Sequence, residues 1–311
     1  MTKHRQAMFG LAVLWIFFRH TFFYNQISYS FISTIVNIGD CGVDIFLFLS
    51  GFGLFFSFKK CETILDFYKK RGIRILPTVI LLLGVFAIVI DWISDDRRYV
   101  IFSPKYWFYA VYSSYWFIGA ILFFYIVYPL LFKLVKKNPI GICIVSLILS
   151  VLGIILIHSI KIDLLNQMVV YLARITVFVL GIVFAYKQEL LMRIKLNCII
   201  FLLSIPLLFI LPKDFQRIAY FPLAIVFSVY LPLLLDKLPQ LLIKPLNSLG
   251  KVSLEFYLIH VFLFSIGIIN LIQKMLNINI YISVVLSFVV VLALSLLCSF
   301  IVSKMTSIIK K

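Results

Sequence analysis

Apolar residues run in long blocks along this chain, and polar residues collect in the gaps between them. Ten such blocks can be read, at about 7–24, 41–58, 73–93, 115–135, 139–158, 168–187, 195–212, 217–235, 253–273 and 279–303. Each is near the length needed to cross a hydrocarbon core of ~30 Å. In lipid a segment must satisfy its own backbone hydrogen bonds, so helices are the natural choice. The pattern predicts an all-α polytopic membrane bundle of about ten transmembrane helices, one domain over 1–311 with no appended soluble domain. Pro77, Pro129, Pro206, Pro222 and Pro232 fall inside these blocks and predict kinks, because neighbouring helices can re-satisfy the freed carbonyls. The aromatic connection near 94–114 is expected to lie in the interface or to fold back over a cavity.

Composition sharpens this picture. The chain is 63% hydrophobic and 13% charged, with a mean hydropathy of +1.12, whereas a globular surface needs roughly a quarter of its residues charged. The net charge of +17 would suit nucleic acid, but its placement argues otherwise. Of 29 Lys and Arg, 20 fall at the N-terminus, in 59–74, 133–138, 187–195 and 237–251, and after the last span; seven fall on the other side, and Arg19 and Arg174 lie within spans. By the positive-inside rule both termini are cytoplasmic and the charge is a topology signal, so no nucleic-acid partner is expected. The five cysteines are scattered, with no CxxC pair, and suggest neither a disulfide framework nor a metal site.

The informative residues are ionisable groups inside spans, each costing several kcal/mol unless paired or facing water. His20 closes the first span and Asp44 opens the second, so a short external loop brings them to similar depth. A carboxylate holding one imidazole nitrogen leaves the other basic, as a general base requires. Asp44 equally suits a helix N-terminus, and His20 alone suits a ring reaching the interface. Arg71 and Arg74, in KKRGIRILP, fit either the positive-inside bias or a guanidinium clamp on phosphate. Arg174 either pairs with a buried carboxylate or reaches a ligand. In LGKVSLEFYLIH (Leu249–His260), Glu255, Tyr257 and His260 place polar groups on an apolar helix. Gly51 and Gly53, with Ser50, suit close helix packing.

Four stretches carry a resemblance, in order: GLAVLWIFFRH (Gly10–His20), GVDIFLFLSGF (Gly42–Phe52), KRGIRILP (Lys70–Pro77) and LGKVSLEFYLIH. Together they resemble the acyltransferase-3 family of bacterial membrane acyltransferases, with YWFIGAILFFYIVYPLL (Tyr115–Leu131) and ARITVFVLG as weaker echoes. The resemblance implies ten core helices, a cytoplasmic acyl-CoA donor, most commonly acetyl-CoA, and an acceptor hydroxyl on a polysaccharide or lipid-linked glycan across the membrane. It also implies a catalytic His20 and basic residues on the CoA phosphates. Many members carry arginine where this chain has Phe9. Arg5 lies about one turn earlier, and Arg5 to His20 spans roughly 22 Å along a helix, comparable to an extended pantetheine arm.

The expected mechanism has His20 as general base or acyl carrier, oriented by Asp44. Arg5, Arg71, Arg74 and Arg174 are expected to bind acyl-CoA; Ser50, Trp116, Tyr125, Glu255, Tyr257 and His260 to line the passage; and no metal to take part. The setting is the inner or plasma membrane of a bacterium. The rival class is a transporter or lipid-linked-glycan flippase, which has no use for CoA.

Overall fold

Why these residues form helices is clearest at Thr63. Its hydroxyl accepts a hydrogen bond from the Asp66 N–H at 3.0 Å, and the Asp66 carboxylate accepts one from the Thr63 N–H at 3.2 Å. This reciprocal cap satisfies two donors that a helix start leaves open. The third helix therefore begins at Ile64, earlier than the span expected from 73.

The computed structural model describes residues 3–25, 38–94, 100–160, 165–189 and 213–309, with the isolated positions 199, 202, 206 and 210. Most of the span expected over 195–212 lies outside the described residues, as do Arg97, Arg98, Arg193, Cys198 and the side chains of His158 and Arg217. Within them the chain forms α1 (Arg5–Asn25), α2 (Cys41–Phe58), α3 (Ile64–Ile93), α4 (Pro104–Tyr109), α5 (Trp116–Lys137), α6 (Pro139–Ile160), α7 (Asn166–Tyr186), α8 (Lys213–Lys237), α9 (Gln240–Lys251), α10 (Ser253–Ser265), α11 (Ile268–Leu276) and α12 (Ile280–Ile309). Among the described residues seven helices are long and apolar enough to cross a bilayer, and the bent pair α9–α10 raises the number to eight.

One expected span is not continuous. The run at 253–273 divides at Gly267, whose φ of +76° is a left-handed conformation that ends α10 and starts α11. At the other end of α10 the chain turns by 73° between Lys251 and Ser253. A composition of apolar residues sees neither break.

The bundle has an enclosed centre and an apolar exterior. In α2 and α7, 78% and 72% of the spanning windows are buried, against 22% in α6 and α12. Exposed Ile144, Ile148, Leu152, Val285, Val289 and Phe300 cover the outer helices, a surface that lipid accepts and water does not. α2 and α7 approach closely because a Cβ on Gly51 would meet the Phe178 carbonyl, and one on Gly181 the Phe48 carbonyl. That is the small-residue packing expected at Gly51. α1 lies against α9 and α10, and α8 against α2.

Candidate active site

The bend between α9 and α10 opens a cavity of about 180 Å³ between α1, α2, α3, α5 and α10. Of the expected site residues, Arg5, Ser50, Arg74, Tyr125, Glu255 and Tyr257 line it. Phe9, Ile16 and Lys251 are in the wall as well. Along α1 the lining runs from Arg5 to Ile16, roughly 16 Å of helix, and His20 stands one turn further on.

The end near Arg5 is strongly basic. Arg5, Arg71 and Arg74 lie near enough to act on one another electrostatically. Among the described residues none of the three makes an ion pair. Arg71 donates to the Ser57 hydroxyl, and its guanidinium carbon lies 6.0 Å from the centre of the Tyr125 ring, placing it beside the cavity wall. Arg5 rests over the Phe9 ring at 5.1 Å. The residue that departs from the family pattern is thus the platform for the arginine one turn earlier. Converging guanidinium groups that form no ion pair among the described residues, with the single carboxylate of Glu255 acting on Arg74, suit a polyanion bound through bidentate hydrogen bonds.

Glu255 is buried near enough to Arg74 for the two charges to interact, and it accepts a hydrogen bond from the Thr78 hydroxyl at 3.2 Å. Thr78 follows the proline at position 77 and was not singled out from the sequence. Its signal was available: a hydroxyl in a span, one residue past a kink.

Two expected partnerships are rearranged. His20 meets His260, with Nδ1 of the first 2.9 Å from Nε2 of the second, and the rings stacked at 5.1 Å. Asp44, expected to orient His20, instead meets Arg174, with Oδ1 3.5 Å from Nε. Both members of that pair are essentially buried, at 1% and 2% side-chain exposure. The physical reason is packing: α2 lies face to face with α7, and two opposite charges enclosed between them neutralise each other. Arg174 also donates to the Val170 carbonyl at 3.3 Å and lies 4.7 Å from the centre of the Trp116 ring. Buried Arg174 and half-buried Trp116 consequently belong to an ion-pair and cation–π cluster, where acyl-CoA binding and cavity lining were expected.

Tyr257 connects the cavity to the histidines. It lines the wall, and its ring packs edge-on against His260 at 5.7 Å. His260 itself is fully buried and His20 is half-buried.

The aromatic segment, expected to lie in the interface or to fold back over a cavity, borders one. A second cavity of about 530 Å³ is lined by Lys105, Tyr106, Tyr109, Tyr115, Val261 and Phe262 among others. The Tyr106 hydroxyl donates to the Leu83 carbonyl at 2.7 Å, which ties the segment to α3, and the Trp107 indole donates to the Ile101 carbonyl at 2.8 Å within the segment itself. At 3.6 residues per turn, Val261, Phe262 and Ser265 stand about 100°, 160° and 140° around α10 from His260. This cavity therefore opens on the opposite face of that helix.

No curated protein and no solved structure matches the chain. A family model described as an acyltransferase domain matches residues 10–304, nearly the whole of the sequence that builds the cavity and the histidine pair. The chain belongs to the acyltransferase-3 family.

Proposed function

We propose that this membrane acyltransferase moves an acyl group, acetyl in the first instance, from cytoplasmic acyl-CoA to a hydroxyl of an extracytoplasmic or lipid-linked glycan. The observation that supports this reading is the cavity with guanidinium groups that form no ion pair among the described residues at one end, and His20 a turn past the other. Phosphates of the donor sit among Arg5, Arg71 and Arg74, the pantetheine arm follows α1 past Phe9 and Ile16, and the thioester stops beside Tyr257. His20 acts as general base. The acceptor hydroxyl gives its proton to the imidazole as its oxygen bonds to the thioester carbonyl carbon. The C–S bond then breaks and the proton passes to the departing thiolate. The membrane is the inner or plasma membrane, with both termini cytoplasmic. The concentration of Lys and Arg on the side of the N-terminus supports that orientation.

The test is thiol release from acetyl-CoA by the purified protein with a cell-envelope glycan extract as acceptor. Release that depends on the extract, with acetyl recovered on glycan, is the expected result. A folded protein that neither binds CoA nor releases thiol would return the chain to the transporter class.

A further inference from the structure

We infer that His260 is a positioning residue that locks His20 in the tautomer whose lone pair lies on Nε2. The kinetic consequence rests on the acyltransferase reading; the tautomer does not.

The argument follows from what each atom can do. Nδ1 of His260 is 2.8 Å from the Phe256 carbonyl oxygen. A carbonyl only accepts, so Nδ1 of His260 carries a proton. In a neutral imidazole the other nitrogen is then an acceptor, and this is Nε2, the atom that faces His20. At 2.9 Å from it, Nδ1 of His20 must donate. In the neutral ring, the remaining nitrogen of His20, Nε2, holds the lone pair. The opposite assignment requires either two lone pairs face to face or an imidazolium at His260. His260 is fully buried, with the rings of Phe17, Phe256, Tyr257 and Phe264 centred 5.7–6.0 Å away. An unpaired charge among those rings has no solvation to offset its burial.

Among the described residues, the charged groups around the pair leave this order intact. Arg19 on α1 and Asp40, in the turn before α2, both act on His20, and they pair with each other at 3.8 Å. Asp44 and Arg174 are paired between α2 and α7. α12 contributes the Phe288 ring beside Phe17 and Phe256.

An imidazole side chain free in water prefers the proton on Nε2, which is the wrong tautomer for a base that must use Nε2. His260 reverses that preference before the acceptor arrives. When the acceptor hydroxyl transfers its proton to His20 Nε2, the ring becomes imidazolium. Its Nδ1–H bond to His260 then becomes charge-assisted and strengthens as the positive charge develops. The base is thus oriented by a third group, the usual arrangement for activated acyl transfer.

The test combines spectroscopy with kinetics. Protein labelled with ¹³C,¹⁵N-histidine and reconstituted in bilayers gives ring-nitrogen shifts by solid-state NMR, with His20 assigned by its loss in His20→Gln. His20 protonated on Nδ1 and bare on Nε2 in the wild type, moving to protonated Nε2 in His260→Phe, is the expected result. For acetyl transfer, His260→Phe lowers kcat about 10–100-fold with KM for acetyl-CoA unchanged. His260→Gln, whose amide oxygen accepts from Nδ1–H, recovers most of that loss. His260→Leu, close to Gln in size and without an acceptor, does not, which separates hydrogen bonding from packing if the Phe variant folds poorly. A wild-type His20 protonated on Nε2, or equal kcat in the Gln and Leu variants, overturns the inference. The expected tautomer in a protein without acyl transfer defeats the proposed reaction and leaves the lock standing.

Discussion

Arg5 lies across the bare Cα of Gly53. A Cβ on Gly53 would stand 2.5 Å from the guanidinium carbon and from one terminal nitrogen, while the Phe9 ring supports the same group at 5.1 Å. The guanidinium is held at the cavity wall by a missing side chain below and an aromatic face beside it. Gly53→Ala therefore moves Arg5 without removing its charge. A hydrogen bond to a charged group contributes about 1.5–3 kcal/mol. Losing the good geometry of one such bond should weaken CoA binding about tenfold, and Arg5→Ala by at least as much. Calorimetric titration of CoA into the detergent-solubilised protein measures both. Unchanged affinity in Gly53→Ala would show that Arg5 does not touch the donor.

Asp44 and Arg174 are a second coupled pair, and their role is stability. Removing one member of a buried ion pair leaves the other uncompensated, at a cost of about 3–5 kcal/mol. Asp44→Asn and Arg174→Gln should each lower the unfolding midpoint in detergent substantially. Asp44→Asn/Arg174→Gln, which removes both charges, should lose less than the two single changes added together. Additive losses in this cycle would contradict the pairing.

Acid sensitivity should arise near the N-terminus. Hydrogen bonds from Lys3 and His4 hold the Asp236 carboxyl down to about 2. The unfolded carboxyl titrates near 3.9. A depressed folded value means that the contribution is complete above roughly pH 4 and disappears as pH falls from about 4 to about 2. Wild type should therefore exceed Asp236→Asn in thermal midpoint at neutral pH, and the two should converge over that window. Parallel curves down to pH 2 would remove Asp236 from the account.

The helices and the basic cluster were legible because lipid constrains them strongly. Apolar runs must be helical, and arginines inside them need a reason, so α1, α2 and Arg74 follow from the chain alone, whereas Arg5 entered through the family resemblance. The pairing of His20 was not legible. His20 and His260 stand 240 positions apart, and the direction of the helix that carries His260 depends on the 73° turn at Val252. Glycine in an apolar run also serves close packing, and only the backbone angle at Gly267 distinguishes a break from a contact. Asp44 illustrates the same limit. Its charge called for a partner, but whether that partner was His20 or Arg174 depended on α2 facing α7. Phe9 was read as a departure from the family pattern; its service to Arg5 becomes visible once the two share one face of α1.

The most direct test of the central claim separates binding from chemistry at His20. Acetyl transfer from labelled acetyl-CoA to envelope glycan, measured beside CoA affinity, should fall at least a hundredfold in His20→Ala, in keeping with the roughly 10²–10⁴-fold contribution of a general base. CoA affinity should stay within about twofold, because the guanidinium groups lie at the far end of the cavity from His20. Transfer near the wild-type rate in that variant would contradict the account, since no proposed step proceeds without the imidazole.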